Sequence, residues 1–230
     1  MGPDIIMIVR HAEKPDAYGA VGTQYYGVDP TGSIAGNPAG DKHLITQGWQ
    51  RAGALVSLFA PGLGKGTVAP PLAVPKFLFA ADPGDMKETD GKGPSKRPAE
   101  TLSAVASVLG LTVNTDFADT DYHHMVKTAL TCDGPVLIAW QHEDIPLLNK
   151  AKDPGMSQSI LDHTKTPAAQ AAQLNIPKSW PHGPLWTGGP AEARYDLVFV
   201  FQRDAANTGF ITGFSIQAQR LLAGDAAAPD

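Results

Sequence analysis

Apolar positions along this chain recur in two rhythms, one of strands and one of helices. Residues 5–9 (Ile-Ile-Met-Ile-Val) form an unbroken, mostly branched apolar run, which suits a strand covered on both faces in a parallel sheet. From Thr46, a residue able to cap, Trp49, Ala52, Leu55, Val56 and Phe59 return at helical spacing until Pro61 and Gly62 interrupt them. Residues 76–81 predict a second strand, and Pro98 suits the first turn of a helix running to about Gly110. A short strand from Val113, a helix over 122–130 and a buried strand over 136–140 (Val-Leu-Ile-Ala-Trp) come next. Residues 196–202 and 210–217, parted by a turn-like 204–209, predict a hairpin at a sheet edge.

Strands alternating with helices predict an α/β fold: a three-layer α/β/α sandwich with a mostly parallel central sheet and helices on both faces. Three stretches interrupt the pattern and are expected to be long loops, at about 16–42, 82–96 and 153–190, the last with a short helix near 168–174. The 230 residues, 43% of them hydrophobic, suit one domain spanning 1–230 rather than two.

Charge and cysteine content narrow the partners. A formal net charge of -5 argues against a nucleic-acid surface, while a small anion needs only a few local cations. The single cysteine, Cys132, allows no internal disulfide and no CxxC pair. Apolar runs are strand-length, far below the roughly 20 residues that cross a bilayer, so no membrane partner is expected. The first strand-like run begins at once, which predicts a cytoplasmic chain, although a mature secreted chain would read the same way. Oligomeric state stays open.

In open α/β sheets ligands gather beyond the carboxyl ends of the strands, so residues just after each strand are the first candidates. The first strand ends in Val9-Arg10-His11-Ala12-Glu13-Lys14-Pro15; a later loop leads to Arg97 ahead of a helix; the 136–140 strand is followed by Gln141-His142-Glu143-Asp144. Two arginines, two histidines and several carboxylates can meet at one edge. Neighbours on a regular strand point to opposite faces, so Arg10 and His11 share a pocket only if the strand ends between them.

These residues resemble the histidine phosphatase superfamily, the phosphoglycerate mutase-like proteins whose hallmark is an Arg-His pair closing the first strand. Arg10-His11-Ala12-Glu13-Lys14-Pro15 looks like a bacterial branch in which alanine replaces the usual glycine, and Leu44-Ile45-Thr46-Gln47-Gly48-Trp49-Gln50-Arg51-Ala52 resembles the family's first-helix signature. The resemblance covers residues 5 to about 144 and implies a phosphoglycerate mutase-like fold. It implies a phosphatase acting on a phosphorylated small molecule through a phosphohistidine on His11, with Nε2 attacking. Arg10, Arg97 and His142 would hold the phosphoryl group, with Lys14 at the rim.

The residue types fit that chemistry. Neutral imidazole is available as a nucleophile near pH 7, and preorganised cations stabilise the charge of phosphoryl transfer without a metal or other cofactor. His142 would donate a further hydrogen bond when protonated. The resemblance places a proton donor at Glu143, as in the acid-phosphatase branch, or in the Asp116, Asp119, Asp121 segment, as in the mutase branch. A phosphomutase and a weakly active phosphate-binding module are the competing functions, and a working general acid argues against the second.

Other polar residues read as structural. Taken alone, Arg10 and Glu13 would be a surface ion pair. Arg51 is expected to face solvent or pair along its own helix. Ser95 and Thr101 read as a cap and a helix-surface residue, since neither lies in a Gly-x-Ser-x-Gly elbow. His123 and His124 are adjacent and diverge on a helix, so no metal is expected there.

Overall fold

The computed structural model describes residues 2–15, 26–32, 42–84, 93–184 and 191–229. In chain order the elements are β1 (Ile5–Arg10), α1 (Thr46–Phe59), β2 (Phe77–Ala81), α2 (Arg97–Leu109), β3 (Val113–Phe117), α3 (Tyr122–Ala129) and β4 (Val136–Trp140). The remainder are α4 (Met156–His163), α5 (Ala168–Gln173), β5 (His182–Pro184), β6 (Ala191–Ala193), β7 (Leu197–Arg203) and β8 (Ile211–Ala218).

Six strands form one sheet in the order β3-β2-β4-β1-β7-β8. β1, β2, β3 and β4 run parallel, while β7 runs against β1 and β8 against β7. The predicted hairpin therefore closes one edge of the sheet. β1 and β4 lie in its middle, which is why their sequences are apolar at successive positions rather than alternate ones.

The strand period of two sorts these side chains into two cores. Ile6, Ile8, Ile138, Trp140, Phe199 and Phe201 face α3 and α4, where Met125, Val126, Met156 and Ile160 pack on them. Met7, Val9, Leu137, Ala139, Val198 and Val200 face α1 and α2, meeting Leu55, Phe59, Leu102 and Val105. Each of the valine, leucine, isoleucine, phenylalanine and methionine side chains so removed from water stabilises the fold by about 1.5–3 kcal/mol relative to leaving it exposed. The result is the expected three-layer sandwich, an α/β architecture consistent with the phosphoglycerate mutase-like fold.

Three local expectations change. Thr46 does not cap α1 but is its first helical residue; the cap position is Ile45, which makes no side-chain cap. The backbone N–H of Ile45 instead donates to the Glu13 carbonyl at 3.1 Å, so the helix starts by being tied to the loop after β1. Gly48 allows this closeness, because a Cβ there would stand 2.6 Å from the Glu13 carbonyl oxygen.

The stretch read as loop with one short helix contains a second helix, α4, and the strand β5, which pairs with β6 just beyond it. α4 is hidden in sequence because two of its buried positions are serines, and Ser157 Oγ donates to the Ile145 carbonyl at 2.6 Å. Of the expected loops, 16–25, 33–41, 85–92 and 185–190 lie outside the described residues. Among the described residues no helix is long and apolar enough to cross a membrane.

Candidate active site

The loop leaving β1 is fixed residue by residue. His11 N–H donates to the Trp140 carbonyl at 2.9 Å, continuing the pairing with β4 one residue beyond the strand. Ala12 N–H then turns to Thr101 Oγ1 at 2.8 Å, and the same hydroxyl donates to the Arg97 carbonyl at 2.7 Å. Thr101 is thus buried and joins the β1 loop to the first turn of α2, rather than lying on the helix surface as expected. Ala12 packs against Leu44 and Ala52, a space that suits a methyl group.

His11 and Arg10 are both buried, with 4% and 3% of their surfaces exposed. His11 Nδ1 lies 2.7 Å from the Ala12 carbonyl oxygen. A carbonyl only accepts, so Nδ1 carries the proton and Nε2 keeps its lone pair. Burial chiefly, then the charges of Arg10 and Arg97, and more weakly His142, hold the imidazole well below its usual pKa, although the Ala12 carbonyl pulls the other way. These four side chains therefore stand within electrostatic reach of one another, as the end of the strand at Arg10 permits.

Arg10 is held by residues outside the predicted set. Its Nη1 donates to the Ala193 carbonyl, its Nη2 to Tyr195 Oη at 3.0 Å, and its guanidinium carbon stands 3.6 Å from the Tyr195 ring centroid. Tyr195 precedes β7, which is antiparallel to β1, with Val198 opposite Val9. Residues before an antiparallel strand reach the same edge as residues after a parallel one. Had β7 been recognised as antiparallel, its leading residues would have pointed to Tyr195.

Arg97 is the first residue of α2, in the same turn as Thr101, and its charge is close enough to lower the pKa of His11. His142 lies two residues beyond β4; burial first, then Arg10, His182, Lys14 and Lys150, lower its pKa to about 3. Its imidazole is therefore neutral near pH 7, contrary to the protonated form expected, and it has one N–H to give. Lys14 is half-buried and contributes to the field at His142.

Glu143 is exposed and pairs with Lys150, Oε2 to Nζ 3.1 Å, at the wall of a cleft that also includes His142. Its neighbour Asp144 is half-buried, and burial, then Glu143 and Asp119, push its carboxyl up to about 6. In the alternative segment, Asp121 is engaged by His124 Nδ1 at 2.5 Å and Asp116 by Asn114 Nδ2 at 3.0 Å. His124 is thus bound to a surface carboxylate, and His123 lies against the Tyr122 ring. Among the described residues no three His, Cys, Asp or Glu side chains gather as a metal site.

The surface ion pair that Arg10 and Glu13 would suggest if taken alone is not what these residues form. Glu13 is buried and its Oε1 accepts from Arg51 Nε at 2.9 Å and Nη2 at 2.8 Å. Arg51 is buried too, where solvent exposure was expected, and reaches Asp225 and Gln219 in the C-terminal segment as well as Glu13. Ser95 does not cap α2, whose cap position is Lys96.

Neither a protein-family model nor a curated protein matches this chain. Among solved structures it is similar to a mycobacterial hydrolase at 11% identity and a TM-score of 0.41, over 98% of this chain and 99% of that one. It is also similar to a mycobacterial glucosyl-3-phosphoglycerate phosphatase at 12% identity and a TM-score of 0.41, over 95% and 99%. A second mycobacterial hydrolase aligns at 10% identity and a TM-score of 0.37, over 100% and 94%.

Proposed function

We propose that this chain is a metal-independent phosphatase that hydrolyses phosphomonoesters through a phosphohistidine on His11. The observation that carries the reading is the 2.7 Å contact between His11 Nδ1 and the Ala12 carbonyl. It leaves Nε2 as a neutral nucleophile inside a ring of cations, which is the combination that phosphoryl transfer needs.

In this reading Nε2 attacks phosphorus and the bond to the leaving oxygen breaks. Arg10 and Arg97 hold the equatorial oxygens with fixed, forked donors, and the neutral His142 adds an N–H. Lys14 raises the local positive potential. Glu143, once it has left Lys150 and taken up a proton, gives that proton to the departing alkoxide, then takes one from the water that cleaves the phosphohistidine, which restores both groups.

The test is turnover of para-nitrophenyl phosphate with and without chelator, alongside trapping of an acid-labile phosphoenzyme. Chelator-resistant, vanadate-sensitive activity that disappears in His11→Ala is expected. Full activity in His11→Ala would overturn the reading.

A further inference from the structure

The cleft beside His142 has a volume of about 450 Å3 and is walled by Pro146, Leu148, Trp180, Lys150, Lys152 and Lys178, with His182 and Glu143 at its rim. Three lysines thus line one small space on a chain whose net charge is -5. Among the described residues the one carboxylate lining it, Glu143, is already paired with Lys150. Among the same residues neither Lys152 nor Lys178 has a carboxylate partner.

The cleft is shaped by firm contacts. Trp180 is buried, stacks on Phe199 with ring centroids 4.8 Å apart, and donates from its indole to the Arg194 carbonyl at 2.7 Å. Lys152 occupies the left-handed region at φ 71°, where a side chain is normally disfavoured, in a turn wound about Asn149. His182 Nδ1 meets the Trp180 carbonyl at 2.8 Å, which leaves its Nε2 for other contacts.

We propose that this cleft is a subsite for a second anionic group, a carboxylate or a second phosphoryl, on the small phosphomonoester whose scissile phosphate sits at His11. The proposal rests on the phosphatase reading and extends it to substrate class. Lys152 and Lys178 take the second anion, and the Pro146 and Leu148 side of the cleft takes the carbon scaffold between the two charges. A space of this volume fits a small molecule and excludes a folded partner. His142 lines the cleft and also stands within electrostatic reach of His11, which puts the two subsites side by side.

Titration calorimetry with phosphonates tests this independently of turnover. Propylphosphonate carries one anion; 2-carboxyethylphosphonate and propane-1,3-diyl bisphosphonate add a carboxylate or a second phosphoryl at similar length. At least one of the latter pair should bind the wild-type chain about tenfold tighter than propylphosphonate, and which one does so identifies the anion. The advantage should fall to about twofold or less in Lys152→Ala/Lys178→Ala and shrink with added salt. Equal affinities in the wild type, or a preference that survives the double substitution, overturn the subsite while leaving the phosphatase reading intact. Failure of all three ligands to bind the wild type overturns both.

Discussion

Arg51 and Asp225 lie 174 positions apart in the chain and form a two-pronged ion pair, Nη1 to Oδ2 at 3.0 Å and Nη2 to Oδ1 at 2.8 Å. The same guanidinium holds Glu13, two residues after His11, so the C-terminal segment is coupled to the loop after β1. One cation serves two carboxylates unequally. Burial would raise Asp225, but Arg51 and the backbone N–H groups of Leu222 and Leu221 hold it below the usual range. At Glu13 burial wins over Arg51 and the carboxyl is pushed up.

Arg51→Leu should therefore destabilise the chain by about 3–5 kcal/mol at neutral pH, because two carboxylates lose their shared partner in the interior. Urea unfolding measures it; a loss below about 1 kcal/mol would mean the cluster is solvated in practice. The Asp225 part has a defined sign. Its depressed pKa contributes stability that is full above the ordinary carboxylate pKa and disappears as pH falls through its lower native value.

Tyr195 supplies both a face and a hydroxyl to Arg10. Tyr195→Phe removes the hydroxyl contact and should weaken vanadate binding about threefold, while Tyr195→Leu also removes the ring and should weaken it about tenfold. Unchanged affinity in both variants would show that Arg10 keeps its position without the tyrosine.

Two glycines of α1 make a matched comparison. Gly53→Ala meets nothing within 4 Å, so the better helix former should stabilise the chain by up to about 1 kcal/mol. Gly48→Ala has the same propensity gain, but its methyl group would stand 2.6 Å from the Glu13 carbonyl oxygen. Overpacking of this kind costs about 1–3 kcal/mol and should outweigh the gain. Thermal melts that rise for both variants would show that the β1 loop yields easily.

His11 and His142 both have lowered pKa values, the second to about 3. Below the ordinary histidine pKa near 6.5 the unfolded chain binds protons that the native chain does not, so their stabilising contribution is full above that pH and declines as pH falls below it, for His142 down to about 3. Asp144, raised to about 6, acts in the opposite sense, because it gains a proton in the native state first. Comparing unfolding of the wild type and His142→Asn between about pH 7.5 and 4.5 isolates the histidine. The variant should show a shallower fall, and identical slopes would remove His142 from the account.

The proton donor separates by leaving group. Glu143→Gln should slow alkyl phosphates far more than aryl phosphates, whose leaving groups hardly need protonation. If both fall equally while Asp144→Asn shows the leaving-group dependence, the role moves to Asp144, whose carboxyl is pushed up to about 6.

Legibility in the sequence depended on how local each determinant is. β1 and β4 were legible because a strand buried on both faces needs an unbroken apolar run, and His142 because a parallel strand delivers the residues after its last pair to the site edge. α4 was not, since Ser157 and Ser159 occupy buried positions that read as solvent-facing. Tyr195 and Asp225 were not, because what defines them is an arginine more than 170 positions away, and no short-range pattern marks such a pair. Arg51 was misread for the same reason, its partners lying in the β1 loop and the C-terminal segment rather than along α1.

The late position of Tyr195 and Asp225 in the chain matters during synthesis. A growing chain that has emerged from the ribosome only as far as residue 150 holds His11, Arg97 and His142, but lacks Tyr195 beneath Arg10 and Asp225 behind Glu13. Arg10 and the loop after β1 thus receive their last supports only when the C-terminal part of the chain is present.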